Sequence, residues 1–279
     1  MRQVAVQCGA MGAGRRLALR FVVLVLMTLG GCTLLQDSNF LYFPDNPPLA
    51  VVLADARRDG LAPWPGEDDY RGLLREPEGP VRGTLVLFHG NAGHAGHRKW
   101  YADVFARLGL RVILAEYPAY GPRTGKVGEA ALVADAAETV ALAHSQFRGP
   151  LVLAGESLGA GVAAGAVARA PGEIDALLLI TPWDTLEHVA RYHYPWAPIG
   201  LILRDRYDNA NNLLGFRGPV ALVIAEQDSI VPGDLGRALF AGLSGPKRLW
   251  VIPGAGHNDW MGRVDAAWWQ SLTGFLIGD

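Results

Sequence analysis

The sequence contains little cysteine and no marked excess of charge of either sign. Its two cysteines, Cys8 and Cys32, both lie near the start of a chain of 279 residues. The remainder of the chain therefore has no cysteine for a disulfide or a thiolate metal site. The 25 basic and 27 acidic residues give a formal net charge of −2, and no lysine- or arginine-rich run is present. This balance argues against a nucleic-acid partner.

Apolar residues are abundant, and their pattern predicts the fold class. They make up 50% of the chain against 19% charged residues, which is enough for one large α/β domain. Six apolar runs are typical of strands buried on both faces of a parallel sheet: 84–90, 111–117, 150–157, 176–182, 220–226 and 248–254. Helical stretches alternate with them, at 97–108, 127–147, 158–170, 233–243 and 263–276. The alternation predicts a mostly parallel, doubly wound sheet flanked by helices. Two earlier runs, near 49–53 and 70–74, are expected to form antiparallel strands at its start.

One segment interrupts this alternation. Residues 182–218 are rich in aromatic side chains, contain no strand pattern, and fall between two predicted strands. We expect a short helical lid at about 183–217, over the carboxyl edge of the sheet where open α/β folds bind ligands. Its aromatic residues are candidates for an apolar substrate pocket, the alternative being that they form the core of the lid itself: Trp183, Tyr192, Tyr194 and Trp196.

The N-terminus has the features of a secretory signal. Arginines precede an apolar run at 21–29, which is too short to span a bilayer comfortably, and Gly30-Gly31-Cys32 follows. Residues 29–32 resemble the lipobox of bacterial lipoproteins, which implies cleavage before Cys32 and acylation of its thiol, with palmitate as a typical chain. An uncleaved anchor helix is the alternative. By the same resemblance, Thr33 favours the outer membrane of the cell envelope, facing the periplasm.

This reading divides the chain into three parts. Residues 1–31 are the predicted signal peptide, residues 32–48 a lipid-anchored tether, and residues 49–279 a single α/β domain that includes the lid. In either form of the N-terminus, the folded body is expected to lie at a membrane surface outside the cytoplasm.

The stretch Gly155-Glu156-Ser157-Leu158-Gly159 fits the pattern G-x-S-x-G. It follows a predicted buried strand and precedes an alanine-rich helix, which is the context that the motif requires. Gly155 and Gly159 let strand and helix approach closely on a tight turn. Ser157 then stands at a helix N-terminus, where free N–H groups favour developing negative charge. We therefore expect Ser157 to be a nucleophile.

A base and an orienting acid are available at the ends of the last two predicted strands. His257 follows the final strand in a Gly-Ala-Gly-His loop, and Asp228 lies just beyond the strand before it. Glu226 and Asp184 are the alternatives for the acid. The order Ser157, Asp228, His257 is that of the α/β-hydrolase triad. We assign no proton-transfer role to Glu156.

Backbone donors for an oxyanion are expected from two places: Asn91, in the loop after the strand at 84–90, and Leu158, directly after the nucleophile. No metal or organic cofactor is implied, because His89 and His94 have no carboxylate at metal-binding spacing in the sequence. The remaining histidines are interpreted as solvated or structural: His97, His144, His188 and His193.

Together these motifs resemble the α/β-hydrolase fold family over residues 44–278, and within it the small-lid, serine-aminopeptidase-like branch. The resemblance rests on residues 89–93, on the tyrosine- and glycine-rich turn at 117–126, and on Pro182-Trp183-Asp184. The turn departs from the usual Y-R-G-Y-G pattern at Pro118 and Ala119. Members of this branch act on esters, thioesters and acyl-lipids, and the peptidase name of the domain does not by itself imply peptidase activity.

The expected function is that of a membrane-anchored serine hydrolase, of the carboxylesterase or thioesterase kind. It would cleave a small-molecule or lipid acyl substrate through an acyl-enzyme on Ser157. Two alternatives remain. One is an aminopeptidase or amidase with the same triad, and the other is a non-catalytic envelope lipoprotein that binds a partner.

Overall fold

The computed structural model describes residues 41–278. The predicted signal peptide, the lipidation site Cys32 and the first part of the tether lie outside these residues. Among the residues that are described, no helix is both long enough and apolar enough to cross a bilayer.

The described chain alternates strands and helices, as the sequence predicts. The strands are β1 (Phe43–Pro44), β2 (Ala62–Trp64), β3 (Gly72–Arg75), β4 (Gly83–Phe88), β5 (Ala92–Gly93), β6 (Leu110–Ala115), β7 (Leu151–Glu156), β8 (Ala176–Ile180), β9 (Val220–Ala225) and β10 (Lys247–Ile252). The helices are α1 (Leu49–Arg58), α2 (Lys99–Arg107), α3 (Glu129–Gln146), α4 (Leu158–Arg169), α5 (Leu186–His193), α6 (Ile199–Ile202), α7 (Asn209–Asn212), α8 (Gly233–Gly242) and α9 (Ala266–Ile277). Single 3₁₀ turns occupy Ala95–Arg98 and Trp260–Arg263.

Eight of the strands form one sheet in the order β10-β9-β8-β7-β4-β6-β3-β2. The six strands from β10 to β6 are parallel, whereas β3 and β2 are antiparallel additions at one edge. The central strands are buried on both faces, which explains their continuous apolar sequences. The expected fold class, a doubly wound and mostly parallel sheet, is confirmed.

Helices cover both faces of this sheet and create two apolar cores. On one side α3, α4 and α8 pack against the strands, with Val133, Val162 and Leu239 among the buried side chains. On the other side α1, α2 and α9 pack against the same strands through residues such as Phe105 and Trp269. All parallel strands therefore end at one carboxyl edge between the two helical layers, where side chains following different strands meet.

The run at 49–53 is a helix and not the expected strand. It begins after Pro47 and Pro48, and its buried residues Val52, Leu53 and Ala56 have helical spacing. Two arginines in its last turn complement the helix dipole. Strands β2 and β3 form the antiparallel edge instead. The strand expected at 49–53 is therefore wrong, and the strand expected at 70–74 is close to the observed β3.

The boundary between tether and body lies earlier than the predicted residue 48. Phe43 and Pro44 pair in parallel with Ala92 and Gly93 of β5. Tyr42 is almost fully buried, and its hydroxyl donates to Asp205 of the lid segment. Residues 41–48 therefore belong to the folded body, because they complete a small sheet and fill a gap in the core.

The interrupting segment forms three short helices, α5 to α7, which are fastened to the body. Trp183 is buried, and its indole N–H donates to the Tyr207 carbonyl, at 3.3 Å. The Asn209 side chain donates to the Trp183 carbonyl at 2.9 Å. Tyr207 lies against α4, where a Cβ at Gly161 would come within 2.7 Å of its ring. Both ends of the segment are thus fixed to the core.

The contact between α4 and β4 predicts that Gly159→Ala strongly destabilises the fold. A Cβ at Gly159 would lie 1.9 Å from the carbonyl oxygen of Phe88, a backbone atom that cannot turn away. We expect a loss of more than about 3 kcal/mol in the free energy of unfolding, measured by denaturant titration. Gly242→Ala is the matched control, since a Cβ at this helical glycine meets nothing within 4 Å. A Gly159→Ala protein as stable as the control would contradict the packing described.

Candidate active site

Ser157 stands on the sharp turn between β7 and α4. Its φ of 53° and ψ of −116° lie in a region that non-glycine residues rarely occupy. The turn is possible because its flanking glycines are in close contact: a Cβ at Gly155 would lie 2.3 Å from the Gly159 carbonyl oxygen. Such strain is typical of a serine whose hydroxyl must stand clear of the strand end.

The structure brings the side chains of Ser157, His257 and Asp228 together in one chain of hydrogen bonds. His257 Nε2 lies 3.0 Å from Ser157 Oγ. Its Nδ1 lies 2.6 Å from Asp228 Oδ2. The three residues follow β7, β10 and β9, so their proximity comes from the shared carboxyl edge of the sheet. Nδ1–H donates to the carboxylate, which leaves the lone pair of Nε2 directed at the serine hydroxyl.

The Asp228 carboxylate is buried and fully engaged. Its other oxygen, Oδ1, accepts the backbone N–H groups of Ile230 and Val231, both at 2.8 Å. These two bonds fix the orientation of the carboxylate. His257 is therefore held from one side by a rigid acceptor.

The alternative acids have other partners. Glu226 is exposed and accepts the backbone N–H of Gly254 at 2.8 Å. Asp184 lies 2.7 Å from His188 Nδ1 on the lid. Glu156, beside the nucleophile, forms an ion pair with Arg98 at 3.0 Å, with both side chains mostly buried. Of the carboxylates considered from the sequence, Asp228 is the one that contacts His257.

The loop carrying Asn91 is held by three hydrogen bonds to its carbonyl groups. The Asn91 carbonyl accepts from the Phe43 backbone at 2.9 Å and from the Tyr120 hydroxyl at 2.8 Å. The His89 carbonyl accepts from the Tyr117 hydroxyl at 2.7 Å. Burial raises the pKa of both tyrosines above the usual value, so they remain donors at any working pH.

Leu158 is the first residue of α4, and a helix cannot satisfy its first N–H groups internally. The loop after β4 and the start of α4 are adjacent because β4 pairs with β7, with Phe88 opposite Gly155. The two predicted oxyanion donors, Asn91 and Leu158, therefore lie on neighbouring elements beside Ser157.

A buried carboxylate that the sequence analysis missed supports this loop. Glu116 follows β6 and is almost inaccessible to solvent. One oxygen lies 3.2 Å from His89 Nε2, and the other accepts the Ala95 backbone N–H at 3.0 Å. His89 Nδ1 donates to the Gly90 carbonyl at 2.7 Å, so His89 shapes the loop and does not face the triad. The available signal in the sequence was a charged residue directly after the apolar residues 112–115.

The four aromatic residues of the lid differ in exposure. Trp183 is only 2% exposed and belongs to the core, where its indole N–H is bonded, in line with the alternative that such residues form the core. Tyr192, Tyr194 and Trp196 are exposed on the lid, with Trp196 at 82%. The rings of Tyr194 and Trp196 meet edge to face, 6.4 Å apart. The neighbouring His193 Nε2 bonds to the Ile230 carbonyl at 2.8 Å, so the end of α5 lies beside the Asp228 loop.

Known proteins are similar to this chain in sequence and in fold. Residues 79–199 match a family described as serine aminopeptidase, S33. The uncharacterized protein Rv2307c of Mycobacterium tuberculosis is 35% identical over 254 residues, covering 87% of this chain and 89% of the relative. The chain belongs to the α/β-hydrolase family. Its fold class and its family resemblance, both expected from the motifs, are confirmed.

A further relative of this hydrolase carries a name that describes an activity, and a solved structure shares its fold. Lysophosphatidylserine lipase ABHD12 of Danio rerio is 29% identical over 176 residues, and the match covers 56% of this chain and 46% of the lipase. The hydrolase thus spans about half of that protein. The structure of Est1E from Butyrivibrio proteoclasticus, solved with ferulic acid, superposes with a TM-score of 0.61 at 17% identity, covering 74% of this chain and 94% of Est1E. At that identity the likeness shows the fold alone.

The role of Glu116 predicts that Glu116→Ala destabilises the hydrolase strongly. The substitution leaves the buried His89 ring and the Ala95 N–H without their acceptor, and we expect a loss of about 3–5 kcal/mol in unfolding free energy. Glu76→Ala is the control, because Glu76 is half exposed where it pairs with Arg111. Its loss should cost less than about 1 kcal/mol by the same denaturant titration. Equal losses in the two variants would contradict a structural role for the buried pair.

Proposed function

We propose that this hydrolase is a serine esterase that cleaves carboxylic esters or thioesters, acyl-lipids among them, through an acyl-enzyme on Ser157. The observation that carries the proposal is the hydrogen-bonded arrangement of Ser157, His257 and Asp228. His257 Nε2 lies 3.0 Å from Ser157 Oγ, and His257 Nδ1 lies 2.6 Å from Asp228 Oδ2. A serine at ordinary acidity is a poor nucleophile, and a histidine held in the correct tautomer activates it.

In the proposed reaction, Ser157 Oγ attacks the acyl carbonyl carbon while its proton passes to His257 Nε2. The resulting imidazolium is stabilised by Asp228 through Nδ1–H. The tetrahedral oxyanion accepts hydrogen bonds from the backbone N–H groups of Asn91 and Leu158. Collapse of this intermediate expels the alcohol or thiol, which takes the proton from His257. Water, deprotonated by the same histidine, then attacks the acyl-serine and releases the acid.

The contacts of the acidic residues in the lid favour an ester over a peptide as the substrate. An aminopeptidase needs free carboxylates to grip the amine of its substrate, yet each of the four acidic residues of the lid already has a partner. Asp184 contacts His188, and Asp205 accepts the Tyr42 hydroxyl. Glu187 pairs with Arg191 and Arg206, and Asp208 accepts the Asn211 N–H.

Two observations support the proposal of an acyl-lipid substrate. The lipase relative named above acts on a lysophospholipid according to its name. On the lid, Tyr192, Tyr194 and Trp196 present exposed aromatic surface, and the end of α5 lies beside the loop that holds Asp228. We propose that these rings contact the acyl chain or the lipid surface that supplies it.

The role of the triad is tested by labelling with a fluorophosphonate probe and by turnover of p-nitrophenyl esters of two to sixteen carbons. Ser157→Ala should abolish labelling and lower kcat by about 10⁶-fold, because Ser157 carries the one hydroxyl that contacts His257 among the residues described. Ser145→Ala, an exposed serine on α3, is the control and should label like the wild type. A folded wild type that neither labels nor turns over any ester would contradict the proposed function.

The identity of the acid is tested separately with a matched pair of amide substitutions. Asp228→Asn should lower kcat by about 10⁴-fold with KM little changed, since the amide favours the wrong histidine tautomer. Glu226→Gln keeps an acceptor for Gly254 and should retain nearly full activity. The reverse result in this pair would assign the acid to Glu226.

We also propose that Cys32 is acylated and anchors the hydrolase to the cell envelope, facing the periplasm. Cys32→Ser should move the protein from the membrane to the soluble fraction and abolish palmitate incorporation. Cys8→Ser is the control, because Cys8 is the one other cysteine of the chain and lies within the predicted signal peptide. A Cys32→Ser protein that stays in the membrane fraction would favour the uncleaved anchor helix.

A further inference from the structure

A second group of chemically active side chains lies outside the triad. Asp45, His94 and His97 converge so that one ligand atom of each lies within 4.8 Å of the others. His97 Nε2 is 3.7 Å from Asp45 Oδ2, and the two imidazole rings are 4.0 Å apart between centroids. The sequence analysis found no carboxylate for these histidines because Asp45 precedes them by about fifty residues. The pairing of β1 with β5 brings it to them.

The backbone around all three residues is fixed. Asp45 N–H donates to the Gly93 carbonyl at 3.0 Å, and the Asp45 carbonyl accepts the Gly121 N–H at the same distance. His94 and His97 lie on one 3₁₀ turn, where His97 N–H donates to the His94 carbonyl at 3.0 Å. The donor atoms therefore come from backbone segments that do not need to rearrange.

Two glycines leave space for the imidazole rings. A Cβ at Gly93 would lie 2.5 Å from His97 Nδ1. A Cβ at Gly96 would lie 2.7 Å from His94 Cε1. Each ring is thus packed against a backbone position where any side chain would displace it. His94 is partly buried, whereas His97 and Asp45 are about half exposed.

The His94 ring is partly buried and makes a hydrogen bond to the backbone. The ring nitrogen Nδ1 accepts the Gly96 N–H at 3.2 Å. A cation that binds either ring nitrogen displaces this hydrogen bond. The hydrogen bond is long, and it is weak compared with a metal–imidazole bond.

We propose that Asp45, His94 and His97 bind a divalent transition-metal cation, Zn²⁺ foremost. Two imidazoles and one carboxylate are the donor set of zinc sites with three protein ligands. Calcium and magnesium prefer sites made of oxygen ligands. Bond lengths of about 2.0–2.1 Å in a tetrahedral site put ligand atoms about 3.4 Å apart. The His97–Asp45 spacing of 3.7 Å is a few tenths of an ångström from that value.

The site has an open side. His94 and His97 also line a cleft of about 510 Å³ between α1 and the 3₁₀ turn, through which water completes the coordination. The cation joins the chain after β1 to the loop after β5. Phe43 of β1 bonds to the Asn91 carbonyl, so the cation reinforces the segment that supports the predicted oxyanion donor. Its primary effect is therefore on stability.

The experiment is a titration of the untagged full-length protein with Zn²⁺ by calorimetry, with Co²⁺ absorption as a spectroscopic reporter. The wild type should bind saturably at one site per chain, and Zn²⁺ should raise its Tm. Asp45→Asn, His94→Gln and His97→Gln should each weaken binding by more than about tenfold and abolish the rise in Tm. His144→Gln changes an exposed histidine of α3 and should bind like the wild type.

A second control separates this site from the triad, whose His257 and Asp228 could also attract a cation. His257→Ala should keep the Zn²⁺ affinity of the wild type, whether or not the protein proves to be an esterase. The proposal is overturned if the wild type shows no saturable binding, or if its binding is lost in His257→Ala and kept in His97→Gln. Thermal unfolding of each variant without cation verifies that it is folded.

Discussion

The close approach of α4 to β4 is the constraint on which the site depends. Only glycine at residue 159 lets the helix begin where a Cβ would lie 1.9 Å from the Phe88 carbonyl oxygen. The chain reaches this position from the neighbouring strand β7 by a turn that holds Ser157 at a φ of 53°. The same turn sets the Leu158 N–H beside the loop that follows β4. One packing contact therefore positions the proposed nucleophile and the proposed oxyanion donors, and the buried sheet holds the serine in its strained conformation.

The buried and partly buried side chains of Glu116 and Glu156 hold the loop beside Ser157. Glu116 contacts His89 and the Ala95 N–H on one side, and Glu156 pairs with Arg98 on the other. A buried carboxylate is expensive to desolvate, and removing one member of such a pair costs more than the pair contributes. These contacts therefore favour one loop conformation above all others. Preorganised N–H donors of this kind stabilise an oxyanion without reorganisation during the reaction.

Much of the fold was predictable because the longer apolar runs, which alternate with helical stretches, are typical of buried strands. The strand expected at 220–226 is observed as Val220–Ala225, and the helix expected at 127–147 as Glu129–Gln146. The error at 49–53 has a clear cause. A run of five apolar residues is compatible with either a strand or a buried helix, and here the two prolines before it and the spacing of Val52, Leu53 and Ala56 decide for a helix.

The sequence by itself determined the order of strands and helices and the positions of Ser157, Asp228 and His257 at strand ends, because those features depend on local periodicity and on a short motif. Only the tertiary structure decided which side chains touch. It selected Asp228 over Glu226 as the partner of His257, assigned Trp183 to the core, and brought Asp45 to His94 and His97. Each of these outcomes depends on contacts between segments distant in the chain, where packing and pairing set the distances and local pattern does not.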